Sequence, residues 1–160
     1  MAESIVVDST ASKQEKYDQL IPQILALIEG EPDLIANLAN ISAALKETFS
    51  FLWVGFYWVK DRDLVLGPFQ GPVACTRISM GRGVCGTAWK NGQTLIVPDV
   101  EKFPDHIACS SLSRSEIVVP VFSRKSKAVV GVLDVDSEHL DHFDEVDACA
   151  LARILLALDV

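Results

Sequence analysis

The order of helical and extended segments limits the fold of this chain more than any other feature of its sequence. Apolar residues recur at helical spacing over 20–28 and again over 34–45, and a capping box at 12–15 precedes the first run. From residue 51 onward aromatic and β-branched residues favour strands, and a helical pattern returns only at 145–158. This order predicts an α+β fold in which helices frame a sheet.

Six short extended segments lie between these helices, together with one short helix near 84–90. The segments on either side of 61–63 predict a hairpin, and those at 117–122 and 127–135 predict a second one. Glycines and prolines at 67–72 predict a loop. The resulting order, ααβββ(α)βββα, favours a mainly antiparallel central sheet of about six strands, with the N- and C-terminal helices on one face.

The composition is that of one globular domain. With 160 residues, the chain buries roughly 70% of its unfolded surface on folding, which is enough for a core without disulfides or metal. We expect a single domain over 1–160, with a flexible N-terminal tail at 1–11. The net charge of −8 argues against nucleic acid or an anionic membrane as partner. The sequence has neither a signal-peptide pattern nor an apolar stretch of membrane length, so a cytoplasmic location is expected.

Four cysteines, Cys75, Cys85, Cys109 and Cys149, are the side chains most able to carry chemistry. In a reducing compartment they are expected to be free, metal-bound or redox-active rather than structural disulfides. Their wide spacing, without any Cys-x-x-Cys pair, disfavours a zinc site. Cys109 lies in a long irregular segment at 99–115, and an accessible loop thiol is a candidate nucleophile. Cys149 falls on the apolar stripe of the last helix, which predicts a structural role.

Cys85 lies inside a G-x-G-x-x-G sequence at 81–86, a pattern also found in dinucleotide sites. That motif needs a buried strand before it and a full helix after it in a parallel βαβ unit, whereas Gly92 ends this helix within about two turns. The glycines are therefore expected to allow close backbone packing. The sequence leaves Cys85 open between a reactive thiolate at a helix start and a small buried side chain.

Other polar residues accompany the cysteines. Glu116 and Asp134 each lie at the end of an apolar strand, where a charge needs a partner or a function. His106 precedes Cys109 by three residues and is a candidate base for it. The His-x-x-His sequence at 139–142 superficially suggests a metal site, but its acidic surroundings favour a solvated turn that caps the last helix.

Taken together, six segments resemble the free methionine-(R)-sulfoxide reductase family, whose members are stand-alone GAF domains. The resemblance covers about residues 15–158 and rests on LWVGFYWV at 52–59, LGPFQGPVACTRI at 66–78, GRGVCGTAW at 81–89, IVPDVEKFPDHIAC at 96–109, SEIVVPVFS at 115–123 and GVLDVDS at 131–137. It implies the GAF fold, with long loops over the second face of the sheet. It also implies that no cofactor or metal is bound, and that thioredoxin is the reductant, with NADPH as the final electron source.

The resemblance assigns roles to residues at matching positions. Cys109 corresponds to the catalytic cysteine, Cys75 to the main resolving cysteine and Cys85 to a third, recycling cysteine. Glu116 and Asp134 look like the carboxylates of acid catalysis and substrate recognition. Further substrate-binding positions of the family match Trp53, Tyr57 and Asp136.

The implied reaction is the reduction of free L-methionine-(R)-sulfoxide to L-methionine, in antioxidant repair and methionine salvage. A thiolate attacks the sulfoxide and becomes a sulfenic acid, which a second cysteine captures as a disulfide. The chain departs from the family at Ser110, where an Asp often follows the catalytic cysteine. A homodimer is left open. Two other classes of protein also stay open: a ligand-sensing module without turnover, and a dimerisation module regulated by a disulfide.

Overall fold

The computed structural model describes residues 4–160. Its elements, in chain order, are α1 (Lys13–Ile28), α2 (Leu34–Phe49), β1 (Trp53–Lys60), β2 (Asp63–Gln70), β3 (Arg77–Ser79), α3 (Gly83–Asn91), β4 (Leu95–Val97), a 3₁₀ turn (Val100–Lys102), β5 (Ser115–Phe122), β6 (Val129–Ser137) and α4 (Glu145–Leu155). This order confirms the predicted α+β class. Among residues 4–160, no helix combines the length and the apolar composition needed to cross a membrane.

The six strands form one antiparallel sheet in the order β3-β2-β1-β6-β5-β4. The two predicted hairpins, β1-β2 and β5-β6, are both present, and β1 pairs with β6 to join them at the centre of the sheet. Because side chains alternate between the faces of a strand, each of the central strands contributes to both faces. The central strands therefore supply residues to two separate cores.

The larger core lies between the sheet and the three long helices α1, α2 and α4. The strand residues that face it include Phe56, Ile117, Val119, Leu133 and Val135, all of which are buried. This confirms that the N- and C-terminal helices share one face. The opposite face carries a smaller core, to which α3 contributes Val84, Ala88 and Trp89. Long loops cover the rest of that second face, and polar side chains are placed there as well.

Strand β2 is longer than predicted, because the expected loop at 67–72 is extended through Gln70. Phe56 of β1 lies opposite two residues of β2, Gly67 and Pro68, so that the pairing register shifts between Gly55 and Tyr57. Such a bulge leaves one residue unpaired. Pro68 has no N–H to donate and is accommodated by the bulge, which the glycine and proline pattern alone did not reveal.

Part of the segment at 1–11 contacts the rest of the chain, and the flexibility of this tail stays a prediction. The backbone N–H groups of Val6 and Asp8 donate to the side-chain oxygens of Gln23 and Gln19, each over 2.9 Å. Neighbouring apolar residues, Ile5 and Val7, pack against the larger core. This part of the tail therefore lies along α1, whereas the part at 1–3 lies outside the described residues.

Cys149 is exposed. The prediction that it has a structural role on the apolar face of the last helix is therefore wrong. The rotation of α4 is set by Asp147, which is buried and accepts hydrogen bonds from the Tyr17 hydroxyl (2.7 Å) and the Lys13 ammonium (2.6 Å). Since Asp147 points inward, Ala150, Leu151, Ile154 and Leu155 share its face. A residue two positions after Asp147 is rotated by about 200° and faces solvent.

Candidate active site

Three carboxylates meet on the second face of the sheet. Glu116 of β5 lies directly across from Asp136 of β6, and opposite residues of paired strands share a face. Asp134 lies two residues from Asp136 on the same strand and therefore shares that face as well. Glu116 and Asp134 are buried, whereas Asp136 is partly exposed. The strand register thus assembles an acidic cluster from residues that lie at the ends of apolar strands.

A thiol from helix α3 completes this cluster. Cys85, in the first turn of α3, is buried, and its Sγ lies 3.9 Å from Oε1 of Glu116. One ligating atom from each of Cys85, Glu116 and Asp134 lies within 4.8 Å of the other two. The three residues come from α3, β5 and β6, and this proximity is not visible in their sequence spacing.

The environment of the cluster favours the protonated forms of its acids. Burial raises the pKa of Glu116 well above its usual range, and the charge of Asp134 raises it further. Burial also raises the pKa of Asp134, to about 6, and that of Asp136 well above its usual value. Asp134 Oδ1 has no hydrogen-bond partner, and no Lys or Arg among residues 4–160 forms a salt bridge with these acids. The cluster can therefore hold protons near neutral pH and is suited to a cation.

These pKa shifts predict how the stability of the folded protein depends on pH. Asp134 has a pKa of about 6 when folded, against 3.8 for an ordinary Asp, so the folded state binds its proton more tightly than the unfolded state. Its contribution is fully present below about pH 4 and is lost as the pH rises through 6. The stability of Asp134→Asn relative to wild type should therefore increase by roughly 2 kcal/mol between pH 4 and pH 8.

Urea unfolding of both proteins between pH 4 and 8 would measure this difference. The exposed Asp18 offers a matched control, because Asp18→Asn should leave the pH dependence unchanged. A difference between wild type and Asp134→Asn that stays constant across the range would contradict the predicted effect of burial.

Cys75 and Cys109 form a disulfide, with their Cα atoms 5.5 Å apart. Cys109 lines a cavity of about 40 Å³ that is also lined by Cys85, Glu116, Asp134 and Asp136. The structure thus brings all three cysteines of the resemblance to one place, two of them bonded to each other. Burial, followed by the charges of Asp134 and Glu116, raises the pKa of the Cys85 thiol. The sequence left Cys85 open between a reactive thiolate and a small buried side chain. The structure favours the second of these, a buried and protonated thiol.

Two aromatic side chains hold the segment that carries Cys75. The Trp53 indole donates to the carbonyl of Pro72 over 3.1 Å, and the Tyr57 hydroxyl donates to the carbonyl of Cys75 over 2.9 Å. Both rings are buried, and they stack with centroids 5.9 Å apart. Both rings also line the cavity and form part of its wall. Through their hydrogen bonds they hold the segment that carries Cys75 in place.

The glycine-rich turn before α3 packs closely against its neighbours, as predicted. A Cβ at Gly86 would lie 2.5 Å from the carbonyl oxygen of Ser79, so no larger residue fits there. Gly83 has a φ of +60° and faces Ile107. The following helix ends at Gly92, and the sheet around it is antiparallel. The βαβ unit of a dinucleotide site is therefore missing from the described fold, because β3 and β4 are not parallel neighbours.

Ser113 is a site residue that the sequence analysis did not identify. Its buried hydroxyl donates to Asp136 Oδ1 over 2.5 Å and so connects the loop of Cys109 with the acidic cluster. It is one of several serines in that loop, and spacing alone does not single it out. Ser110, which departs from the family pattern, accepts a hydrogen bond from the Leu112 N–H and stabilises a local turn.

The histidines have smaller roles in this region. His106 lines the cavity, and burial lowers its pKa, but within the described chain its ring forms no hydrogen bond to Cys109. The prediction that it is a base for Cys109 stays a prediction. The turn before α4 ends at Asp144, which caps that helix as expected. His142 is partly buried rather than fully solvated, since it bonds to Ser137 and stacks on Phe143.

Comparisons with known proteins agree with this geometry. A sequence profile of the GAF domain family matches residues 33–156. The chain is 61% identical to GAF domain-containing protein A of Dictyostelium discoideum over 99% of both chains. It is 44% identical to the free methionine-R-sulfoxide reductase of Escherichia coli, over 92% of this chain and 89% of that protein. The X-ray structure of free methionine-R-sulfoxide reductase from Neisseria meningitidis in complex with its substrate superimposes with a TM-score of 0.91, at 54% identity, over 96% of this chain and 93% of that chain.

Proposed function

The chain belongs to the GAF domain family and, within it, to the free methionine-(R)-sulfoxide reductases, and from that premise we propose that it reduces free L-methionine-(R)-sulfoxide to L-methionine. The observation that carries the proposal is the cavity itself. Cys109, one of the two cysteines of the disulfide, lines the same small space as the buried acids Glu116 and Asp134. A nucleophilic sulfur next to a proton donor is what reduction of a sulfoxide requires.

The acidic cluster suits the amino group of a free amino acid. An ammonium ion would find three carboxylates that no basic side chain of residues 4–160 contacts in a salt bridge. The carboxylate of the substrate suits the first turn of α3, where Arg82 caps the helix without a side-chain hydrogen bond and leaves backbone N–H groups available. Trp53 and Tyr57 would contact the apolar part of the substrate. A free amino acid offers both charges, whereas a peptide-bound residue offers neither.

The proposed reaction begins after the disulfide has been reduced. The Cys109 thiolate attacks the sulfoxide sulfur while a carboxylic acid of the cluster, Glu116 or Asp134, protonates the oxygen. The oxygen passes to Cys109, which becomes a sulfenic acid, and methionine is released with two more electrons on its sulfur. The Cys75 thiol then attacks the sulfenic acid, forms the disulfide and releases water. The sulfurs carry all the electrons, so these steps need no bound cofactor or metal.

Thioredoxin is proposed as the partner that restores the two thiols, drawing its electrons from NADPH. Exchange begins when a thiolate of the reductant attacks one sulfur of the disulfide and ends with two thiols on this chain and a disulfide on the reductant. We also propose that this cycle serves methionine salvage and antioxidant repair in the cytoplasm, where thioredoxin is kept reduced. The recycling role of Cys85 and a homodimer both remain predictions.

Loss of the resolving cysteine should separate the chemistry from the recycling. In Cys75→Ser, the reduced protein keeps Cys109 and should release about one methionine per enzyme in a rapid burst. Steady-state turnover with thioredoxin should then fall at least about 10-fold, since the main resolving thiol is missing and the remaining thiol of the cavity, Cys85, is buried and has a raised pKa. Rapid-quench chromatography of methionine would measure the burst, and normal recycling by thioredoxin would contradict the role of Cys75.

The proposed activity is tested by NADPH oxidation coupled through thioredoxin and thioredoxin reductase. Free methionine-(R)-sulfoxide, the S epimer and a peptide-bound sulfoxide are offered separately. Turnover with the free R epimer alone is the expected result. If the folded, reduced protein turns over none of the three, a sensor function becomes the better explanation of the site.

A further inference from the structure

We propose that Cys85, Glu116 and Asp134 form a binding site for a thiophilic divalent metal ion such as Zn²⁺ in the protein whose Cys75–Cys109 disulfide is closed. The site would take one metal ion, with the Sγ of Cys85 and one oxygen of each carboxylate as ligands. This inference concerns binding alone and does not depend on the proposed reductase activity.

The first support is the geometry of the three ligands. Their ligating atoms lie within 4.8 Å of one another, and the Cys85 Sγ to Glu116 Oε1 distance is 3.9 Å. Zinc bonds of about 2.3 Å to sulfur and about 2.0–2.2 Å to oxygen place tetrahedral ligands roughly 3.5 Å apart. Small rotations of the side chains would therefore close the three atoms around one ion.

The second support is an unpaired acceptor. Asp134 Oδ1 is buried and has no hydrogen-bond partner within residues 4–160, and Asp134 is only 7% exposed. A buried carboxylate oxygen in that state carries a free-energy cost unless a cation or a donor approaches it. Since no Lys or Arg of residues 4–160 forms a salt bridge with Glu116 or Asp134, the described protein does not supply that cation.

The third support is the size of the space. With the disulfide closed, the cavity beside the cluster measures about 40 Å³, which is room for about three water molecules. A metal ion with a water as fourth ligand fits this volume. The proposal is therefore made for the oxidised protein, whose closed disulfide borders this space.

The donor set also indicates the class of ion. One thiolate with two carboxylates suits zinc or cobalt, whereas magnesium and calcium prefer all-oxygen sites. Binding would displace the thiol proton of Cys85 and a carboxyl proton to solvent, so that affinity should rise with pH. The wide spacing of the cysteines, which argued against zinc in the sequence, does not apply because this site uses a single cysteine.

Cobalt provides the test, because a Co²⁺–thiolate bond absorbs in the near ultraviolet. The oxidised protein, freed of reductant, is titrated with Co²⁺, and then with Zn²⁺ to displace it. We expect a thiolate-to-cobalt band that saturates at one ion per chain and is removed by Zn²⁺. Mg²⁺ at the same concentration should not displace the cobalt.

The exposed thiol of Cys149 supplies a matched control. The band should be lost in Cys85→Ser and kept in Cys149→Ser, and Asp134→Asn, which keeps the thiol, should weaken Co²⁺ binding at least about 10-fold. Loss of the band in Cys149→Ser instead, or no band in wild type at millimolar Co²⁺, would overturn the proposal. Should Cys85→Ser not fold, alkylation of the wild type decides: Zn²⁺ must protect Cys85 and leave Cys149 reactive, and equal labelling of both thiols with and without Zn²⁺ would reject the site.

Discussion

Replacement of Cys109 by Ser is expected to abolish methionine formation, with a loss of at least about 10³-fold in single-turnover rate. A serine hydroxyl at this position is a far weaker nucleophile than a thiolate, and it cannot accept the oxygen as a sulfenic acid. The rate of methionine release from pre-reduced protein, followed by chromatography, measures the effect directly. The disulfide of the wild type also disappears in this variant, so no covalent closure of the cavity remains.

The exposed Cys149 again offers the matched control. Cys149→Ser removes one thiol of the same chain without touching the cavity and should keep the wild-type rate. A Cys109→Ser protein that still releases methionine at the rate of this control would contradict the assignment, because the electrons would then have to come from a different sulfur.

Replacement of Glu116 by Gln is expected to slow the reductive step by about 100-fold at neutral pH, which is the contribution of a well-placed general acid. Glu116 is buried against Cys85 and its pKa is raised by burial, so the acid carries a proton that Gln cannot transfer. The isosteric amide keeps the packing and one hydrogen-bond acceptor. The loss should therefore appear in the single-turnover rate rather than in the stability of the protein.

A pH profile distinguishes proton donation from a merely structural effect. The wild-type rate should fall as the pH rises, because the acidic cluster loses its protons. The rate of Glu116→Gln should fall less over the same range, because Gln has no proton to lose. Glu101, which is exposed in the 3₁₀ turn, provides a control in Glu101→Gln. An unchanged single-turnover rate and profile in Glu116→Gln would reject the participation of this side chain and leave Asp134 as the donor.

The strands and helices of this fold were largely predictable because their signals are local. The capping box of Ser12 and Glu15 begins α1 where it was predicted, and Gly92 ends α3 as expected. The errors arise where tertiary contacts outweigh local pattern. The sequence predicts a loop at Pro68, but a β-bulge opposite Phe56 accommodates this residue within β2. The helical pattern placed Cys149 on the apolar face of α4. The buried hydrogen bond from Tyr17 to Asp147 fixes the rotation of α4, so that Cys149 faces solvent instead.

The site was predictable as a set of residues but not as an arrangement. Glu116 and Asp134 stood out because charges are unexpected at the ends of apolar strands, and the resemblance named the cysteines. Sequence spacing did not reveal that Cys85 contacts Glu116, since that distance depends on how α3 packs on the sheet. Ser113 was missed for a similar reason, because it lies in a loop and its partner Asp136 lies on β6, 23 residues further along the chain.

The separation of the two cores has a consequence for how such a protein can change. The helices α1, α2 and α4 pack on one face of the sheet, while the chemistry-bearing side chains lie on the other. Along β6, for example, Leu133 and Val135 belong to the larger core and alternate with Asp134 and Asp136. Substitutions at the alternate positions can reshape recognition while the larger core keeps the chain folded. Sequence drift or directed evolution therefore has room to create new specificities on this scaffold before its stability is exhausted.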